Sequence, residues 1–219
     1  MALSGWSSSN RIGIATALVT GAPCTLACWF NSTSLTANQN LIALVDLPNS
    51  NYIGLAASGT RAGDPVIAYV GGSLALASSS TGYSANAWQH AAGVFTSSTS
   101  RAAFLNGGSK GTNTTSVTPT SLVSTALGMF NAAGSDSMLG ALAEVGIWNA
   151  ALNDDEIASL AKGFSPDQIR PQSLIAYLPL VRTAQDIKGN AWTTAGTLTV
   201  ANSIRTFCQS GICVHRTLS

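Results

Sequence analysis

Catalysis and metal binding need paired or clustered polar groups, and this 219-residue chain spaces its own far apart. Retaining hydrolysis of a glycosidic bond, for example, needs two carboxyls about 5–5.5 Å apart. The chain has two glutamates, Glu144 and Glu156, and Glu144 has no acidic neighbour two or three residues away. The Asp154-Asp155-Glu156 cluster follows Asn153, a good N-cap, and Glu156 stands where a capping box needs it. Three acids at the positive end of a helix dipole are accounted for as a helix start. His90 has no carboxylate or cysteine close in sequence to tune it, so it is expected to be a satisfied structural histidine on a strand. Calcium wants six to eight oxygens, usually with several carboxylates, whereas Asp46, Asp64 and Asp136 are isolated loop singles. The four cysteines match no zinc spacing. Cys24 and Cys28 would lie about 13 Å apart on one strand at ~3.3 Å per residue, too far to bond. Cys208 and Cys213 flank a Gln-Ser-Gly-Ile turn, so free thiols are expected, with a Cys208–Cys213 bridge as the alternative. A P-loop and a His-Glu-x-x-His pair are both missing. No catalytic, cofactor-binding or metal residue is assigned.

Charged residues make up 9% of the chain and the net charge is +1. An average protein carries roughly a quarter charged residues. Such a chain has no field to attract nucleic acid or acidic lipid. Its small hydroxyl and methyl side chains suit close packing between protein surfaces, or an extracellular or particle-bound setting. The N-terminal residues show no signal peptide and no run reaches the length of a membrane span. Work outside a cell would then follow lysis or a route without such a signal, leaving the sequons at Asn31 and Asn113 incidental.

The elements that would position these groups are mostly strands. Residues 141–148 alternate and end on Trp148, and a short helix follows, closed by Lys162 in its last turn and Gly163 at C′. Its apolar face of Ile157, Leu160 and Ala161 is narrow enough to lie across one edge of a sheet. Strands are expected over 12–19, 25–30, 41–47, 52–57, 66–70, 74–77 and 88–95, with Asn106-Gly107 turning a type I′ hairpin. Residues 31–40 and Pro48 to Asn51 read as polar turns, and 109–121 as an edge strand or exposed loop.

Four stretches then carry a resemblance. Thr25-Leu-Ala-Cys-Trp-Phe30, Trp88-Gln-His-Ala-Ala-Gly-Val-Phe95, Arg101-Ala-Ala-Phe-Leu-Asn-Gly107 and the strand-plus-helix over 140–163 resemble, in order, strands of the laminin-G-like or concanavalin A-like jelly-roll domain. Leu127-Gly-Met-Phe130 is similar to the strand before its final loop. The resemblance implies an all-β, antiparallel two-sheet jelly-roll sandwich with one or two short helices, and places Trp29 in the core. Glucanases of this fold set their carboxylates on one strand as E-x-D-x-x-E, a pattern this chain lacks, so no enzyme is expected. Sugar-stacking candidates outside the matched strands are Trp6, Tyr52, Tyr69, Tyr83 and Trp192, none assigned as a site.

After Gly163, Ser165-Pro166 starts a one-turn helix and 174–181 an apolar strand. This run, with Asp186-Ile-Lys-Gly-Asn190, is similar to the tails of laminin-G-like proteins of tailed bacteriophages. The expected division is a sandwich over 1–181 and a tail over 182–219 docking on it or on a neighbouring subunit. The expected role is a non-catalytic component of the phage particle, such as a capsid decoration (cement) protein at the virion surface. The alternatives are a carbohydrate-binding module for host-surface glycans and a relative of glycoside hydrolases. Expected partners are other virion proteins or copies of the chain in a homo-oligomer, with no nucleic acid, membrane, cofactor or metal.

Overall fold

The computed structural model describes residues 1–46, 50–71, 75–130, 136–202, 204–209 and 212–217, those after 203 as backbone only. The strands are β1 Ala2–Ser4, β2 Arg11–Ile14, β3 Cys24–Ser32, β4 Asn38–Val45, β5 Tyr52–Ser58, β6 Pro65–Val70, β7 Ala75–Gly82, β8 Trp88–Ser97 and β9 Ser100–Leu105. They continue as β10 Gly108–Asn113, β11 Ser124–Leu127, β12 Gly140–Trp148, β13 Leu174–Leu178, β14 Thr193–Ala195, β15 Thr199–Ala201, β16 Ile204–Gln209 and β17 Ile212–Thr217. One α-helix, α1 Asp154–Ala161, and a 3-10 turn over Pro166–Gln168 complete the set. The first sheet runs β10-β9-β8-β3-β12-β1-β15, with β13 beside β12, and the second runs β14-β2-β11-β4-β5-β6-β7. Every pairing is antiparallel. The result is an antiparallel two-sheet jelly roll.

Alternation decides which face each residue takes. On β3, Cys24, Leu26, Cys28 and Phe30 face the space between the sheets, where Leu44, Ile53, Leu55 and Phe95 meet them. Trp29 therefore points to the outer face of the first sheet, beside Ala2, Ala141 and Ala143, and not into the core as expected. Cys24 and Cys28 are free and buried, and burial alone pushes the Cys24 thiol up to about 12 and that of Cys28 higher still. At one flank the sheets come close enough that a Cβ on Gly111 of β10 would run into the Ser78 backbone of β7.

The local signals at residues 106–107 and 153–163 appear in the backbone. Asn106 and Gly107 both take positive φ (53° and 75°) between β9 and β10. Asn153 accepts from the Glu156 N–H at 2.9 Å, and Glu156 accepts from the Asn153 N–H at 2.7 Å. Gly163 (φ 95°) donates to Leu160 and Phe164 donates to Ser159, a Schellman ending with Lys162 as C-cap. Glu156 also binds Arg170. Ile157 and Leu160 lie on the outer face of the first sheet, against Ala92, Phe104 and Trp148, rather than across an edge.

Other expectations shift. Residues 15–19 lie outside the short β2, and β1 is an added strand that the sequence did not mark. β4 starts three residues earlier than expected, at Asn38, inside what read as a polar turn. Parts of the Pro48 loop, Gly72 to Leu74 and residues 131–135 lie outside the described residues. So do the side chains of Cys208 and Cys213, although the register sets these residues opposite each other in the β16–β17 hairpin. In the tail, β14 pairs with β2 and β15 pairs with β1, so residues 193–201 add an edge strand to each sheet. Asp186 fastens this segment: its carboxylate accepts from the Tyr177 and Lys188 N–H groups, the Asn190 amide and the Trp192 indole at 2.6–2.9 Å. Among the described residues no helix is long and apolar enough to cross a membrane.

Candidate functional site

The outer face of the second sheet carries the most developed recess. A register shift between Asn40 and Ile42 turns both Leu41 and Ile42 inward, leaving Asn38 and Asn40 facing outward. Across β5 and β6 the same face presents Ser58, Ala56, Gly54 and Tyr52, then Ile67 and Tyr69. Gly54 stands opposite Tyr69, and a Cβ there would collide with the far edge of the Tyr69 ring. Lacking one, Gly54 lets the ring lie across its strand, so that the Tyr69 hydroxyl reaches Asn40 and donates to its Oδ1. Tyr52 meets Tyr69 edge to face (5.5 Å, 67°) and Phe130 likewise (4.9 Å, 82°).

These rings wall a cleft of about 420 Å³ whose polar lining is Asn38, Asn40, Ser58, Arg61 and Asp136. Asn38 Oδ1 accepts from the hydroxyls of Ser58 and Thr60, both at 2.7 Å. The strand below is held by Gln39, fully buried, whose amide bonds Ser32, Leu139 N–H, the Ser34 carbonyl and the Tyr83 hydroxyl. Asp136 sits at positive φ (53°) and its carbonyl accepts from the Asn40 N–H at 2.8 Å. Burial holds the Asp136 carboxyl above the usual carboxylate range. Burial, then the nearby Tyr52 and Asp136, drive the Tyr69 phenol well above its ordinary value, so it stays a hydrogen-bond donor.

The structure separates the five aromatic candidates. Tyr52 and Tyr69 share the cleft. Trp6 is packed in the core with its N–H on the Leu3 carbonyl, Tyr83 is buried against Phe30, and Trp192 is tied to Asp186. Phe130, Asn38, Asn40 and Arg61 were not singled out from sequence. The Asn-x-Asn spacing ahead of an apolar run was the available signal for two of them.

The remaining polar candidates are dispersed. His90 is buried on the outer face of the first sheet against Trp29 (5.7 Å, 66°), but its Nδ1 has no hydrogen-bond partner, so it is not the satisfied histidine expected. Burial lowers its pKa to about 3. Glu144, on a bulge at φ 50°, accepts from the Tyr177 hydroxyl. Asp46 binds Asn51, and Asp64 makes a turn at φ 46°. Among the described residues no three of His, Cys, Asp and Glu gather as a metal site, and Asp136 is the one acid among the described lining of the cleft. A second recess of about 370 Å³ opens at one end of the sandwich over Ile53, Val70 and Phe95, with Thr96, Ser97 and Thr118 at its rim.

No curated protein matches the chain by sequence. Among solved structures the fold is similar to a native heptameric SAP-like pentraxin from Limulus polyphemus, at TM-score 0.61 and 12% identity over 87% of each chain. It is similar to domain 4 of an extracellular GH43 arabinanase from Geobacillus stearothermophilus, solved with arabinotriose, at TM-score 0.58 and 20% identity over 69% of this chain and 72% of that one. It is also similar to the CBM40 of a Ruminococcus gnavus IT-sialidase, at TM-score 0.53 and 16% identity over 66% and 84%. At these identities the likeness speaks for the fold. The sequence itself matches the family described as the concanavalin A-like lectin/glucanases superfamily over residues 7–158. With the match covering most of the sandwich, the chain belongs to that superfamily.

Proposed function

We propose that this protein is a non-catalytic glycan-binding module whose ligand lies in the cleft between Tyr52, Tyr69 and Phe130. The observation that carries the reading is the meeting of three aromatic rings with two oriented amides on an open sheet face. Rings offer apolar faces to the C–H side of a sugar while amides and carboxylates bind its hydroxyls. Two of the similar structures support the same direction, one having been solved with arabinotriose and one being a CBM40. Asp136 stands without a second carboxylate among the described lining, which fits binding rather than hydrolysis.

The test is retention of the purified protein on a glycan array, followed by titration with the retained sugar. Tyr52→Ala should weaken binding about tenfold or more, equivalent to about 1.4 kcal/mol. An array that retains nothing, or unchanged affinity in the variant, refutes the assignment. Release of reducing sugar from the bound glycan would instead favour a hydrolase.

A second reading, a structural component of a bacteriophage particle, draws support from the weakly charged composition and from the β16–β17 hairpin, which forms a sheet of its own. Such a protein would contact neighbouring virion proteins or further copies of itself. Co-purification with particles at fixed stoichiometry, lost on deleting residues 203–219, would establish it. A chain that never co-purifies would end it.

A further inference from the structure

The geometry points to an acidic sugar, one bearing a carboxylate, as the ligand class of the cleft. This refinement rests on the glycan-binding reading of the same site, and it follows from which way the two cleft amides face.

Each asparagine has its carbonyl oxygen occupied from within the protein. Asn38 Oδ1 receives the Ser58 and Thr60 hydroxyls at 2.7 Å each, and Asn40 Oδ1 receives the Tyr69 hydroxyl. The 2.7 Å separations are those usual for O–H···O bonds, in keeping with Oδ1 and not Nδ2 facing these hydroxyls. The Tyr69 phenol, driven upward by burial, keeps its proton and its role as donor. Both Nδ2 groups are thereby left to the cleft side, where donors are what the protein offers.

Arg61 adds to them. Its exposed side chain lines the same cleft at the Asn38 end, and it enters no ion pair among the described residues. The guanidinium and the two amide N–H₂ groups give the Asn38 side of the cleft a set of planar donors. A carboxylate, planar and acceptor-only, satisfies that set, and Arg is suited to bind it through two parallel bonds. Neutral sugars offer hydroxyls that donate as well as accept and would leave the guanidinium charge uncompensated. Asp136 supplies the acceptor for the ligand's own hydroxyls.

The experiment is calorimetric titration of the full chain with two matched pairs: trigalacturonate against its methyl ester, and sialyllactose against lactose. At least one acid should bind about tenfold or more tightly than its neutral counterpart, with a preference that shrinks as salt screens the charge. Arg61→Gln, at an exposed position, should reduce the acid to about the affinity that its neutral partner shows for the same variant. Asn38→Asp, which keeps the bonds from Ser58 and Thr60 but replaces the donor with a second anionic oxygen, should weaken the acid in the same way. Equal or tighter binding of the neutral members, a preference that survives Arg61→Gln, or no binding of either acid overturns the proposal. Retention of neutral glycans in those cases would leave the broader glycan-binding reading standing, and an array that retains nothing would remove both.

Discussion

Gly54→Ala is a small change with a sign that the structure determines. The new Cβ would fall on the Cζ, Oη and Cε2 atoms of Tyr69, so the ring must leave the sheet face. Two interactions go with it: the hydroxyl bond to Asn40 and the edge-to-face contact with Tyr52. A hydrogen bond contributes about 0.5–1.5 kcal/mol and an aromatic pair a similar amount, giving a loss of about 1–3 kcal/mol. Against this, alanine in a strand interior is favoured over glycine by about 0.5–1 kcal/mol. The net expectation is a destabilisation of up to about 2.5 kcal/mol, with loss of glycan binding. In a Tyr69→Ala background the collision is gone, so the same Gly54→Ala change should become neutral or stabilising by about 0.5–1 kcal/mol. Urea unfolding of the wild type, both single variants and the double variant supplies the cycle. A Gly54→Ala cost of equal size in both backgrounds would show that the ring does not lie over Gly54, and the account of the cleft would fail.

Three further outcomes follow from buried groups. Asp186→Ala removes the acceptor of four donors and should cost about 3 kcal/mol or more, while hydrogen exchange at Lys188 and the Trp192 indole rises sharply. His90 titrates near 3 when folded against an ordinary 6.5, so the unfolded chain takes up the extra proton between those values. Stability contributed by neutral His90 should therefore be intact above pH 6.5 and decline toward pH 3, by up to about 1.4 kcal/mol per pH unit. Denaturant midpoints should fall less steeply with acid in His90→Gln than in the wild type, and identical slopes would contradict this. Cys24 and Cys28, buried and held as thiols, should resist alkylation in the native protein and react once it is unfolded, read site by site by mass spectrometry.

What was legible in the sequence was chemistry that acts over a few residues. The Asn153–Glu156 capping box, the Gly163 ending and the Asn106-Gly107 turn are each written within one turn of chain, and each is found in the backbone. Facing was harder to read, because it depends on register. Trp29 looked like core until the inward set of Cys24, Leu26, Cys28 and Phe30 fixed the alternation the other way. The bulges at Leu41 and Glu144 reverse that alternation within a strand, and nothing local marks them. The cleft was half visible: Tyr52 and Tyr69 stood out as aromatics outside the core strands. Their partners did not, since Asn38 and Asn40 lay in an apparent turn and Phe130 reaches Tyr52 across more than seventy intervening positions.

The two short strands of the tail have a consequence for handling the protein. β14 and β15 lie against β2 and β1, one on each layer, while the opposite flank is sealed by the close approach of Gly111 to Ser78. Cutting the chain after Trp192 would bare the hydrogen-bonding rims of both layers on one side at once. Bare rims are templates for further strands. A preparation trimmed there by proteolysis should polymerise edge to edge, and solubility would then report the integrity of a segment remote from the aromatic cleft.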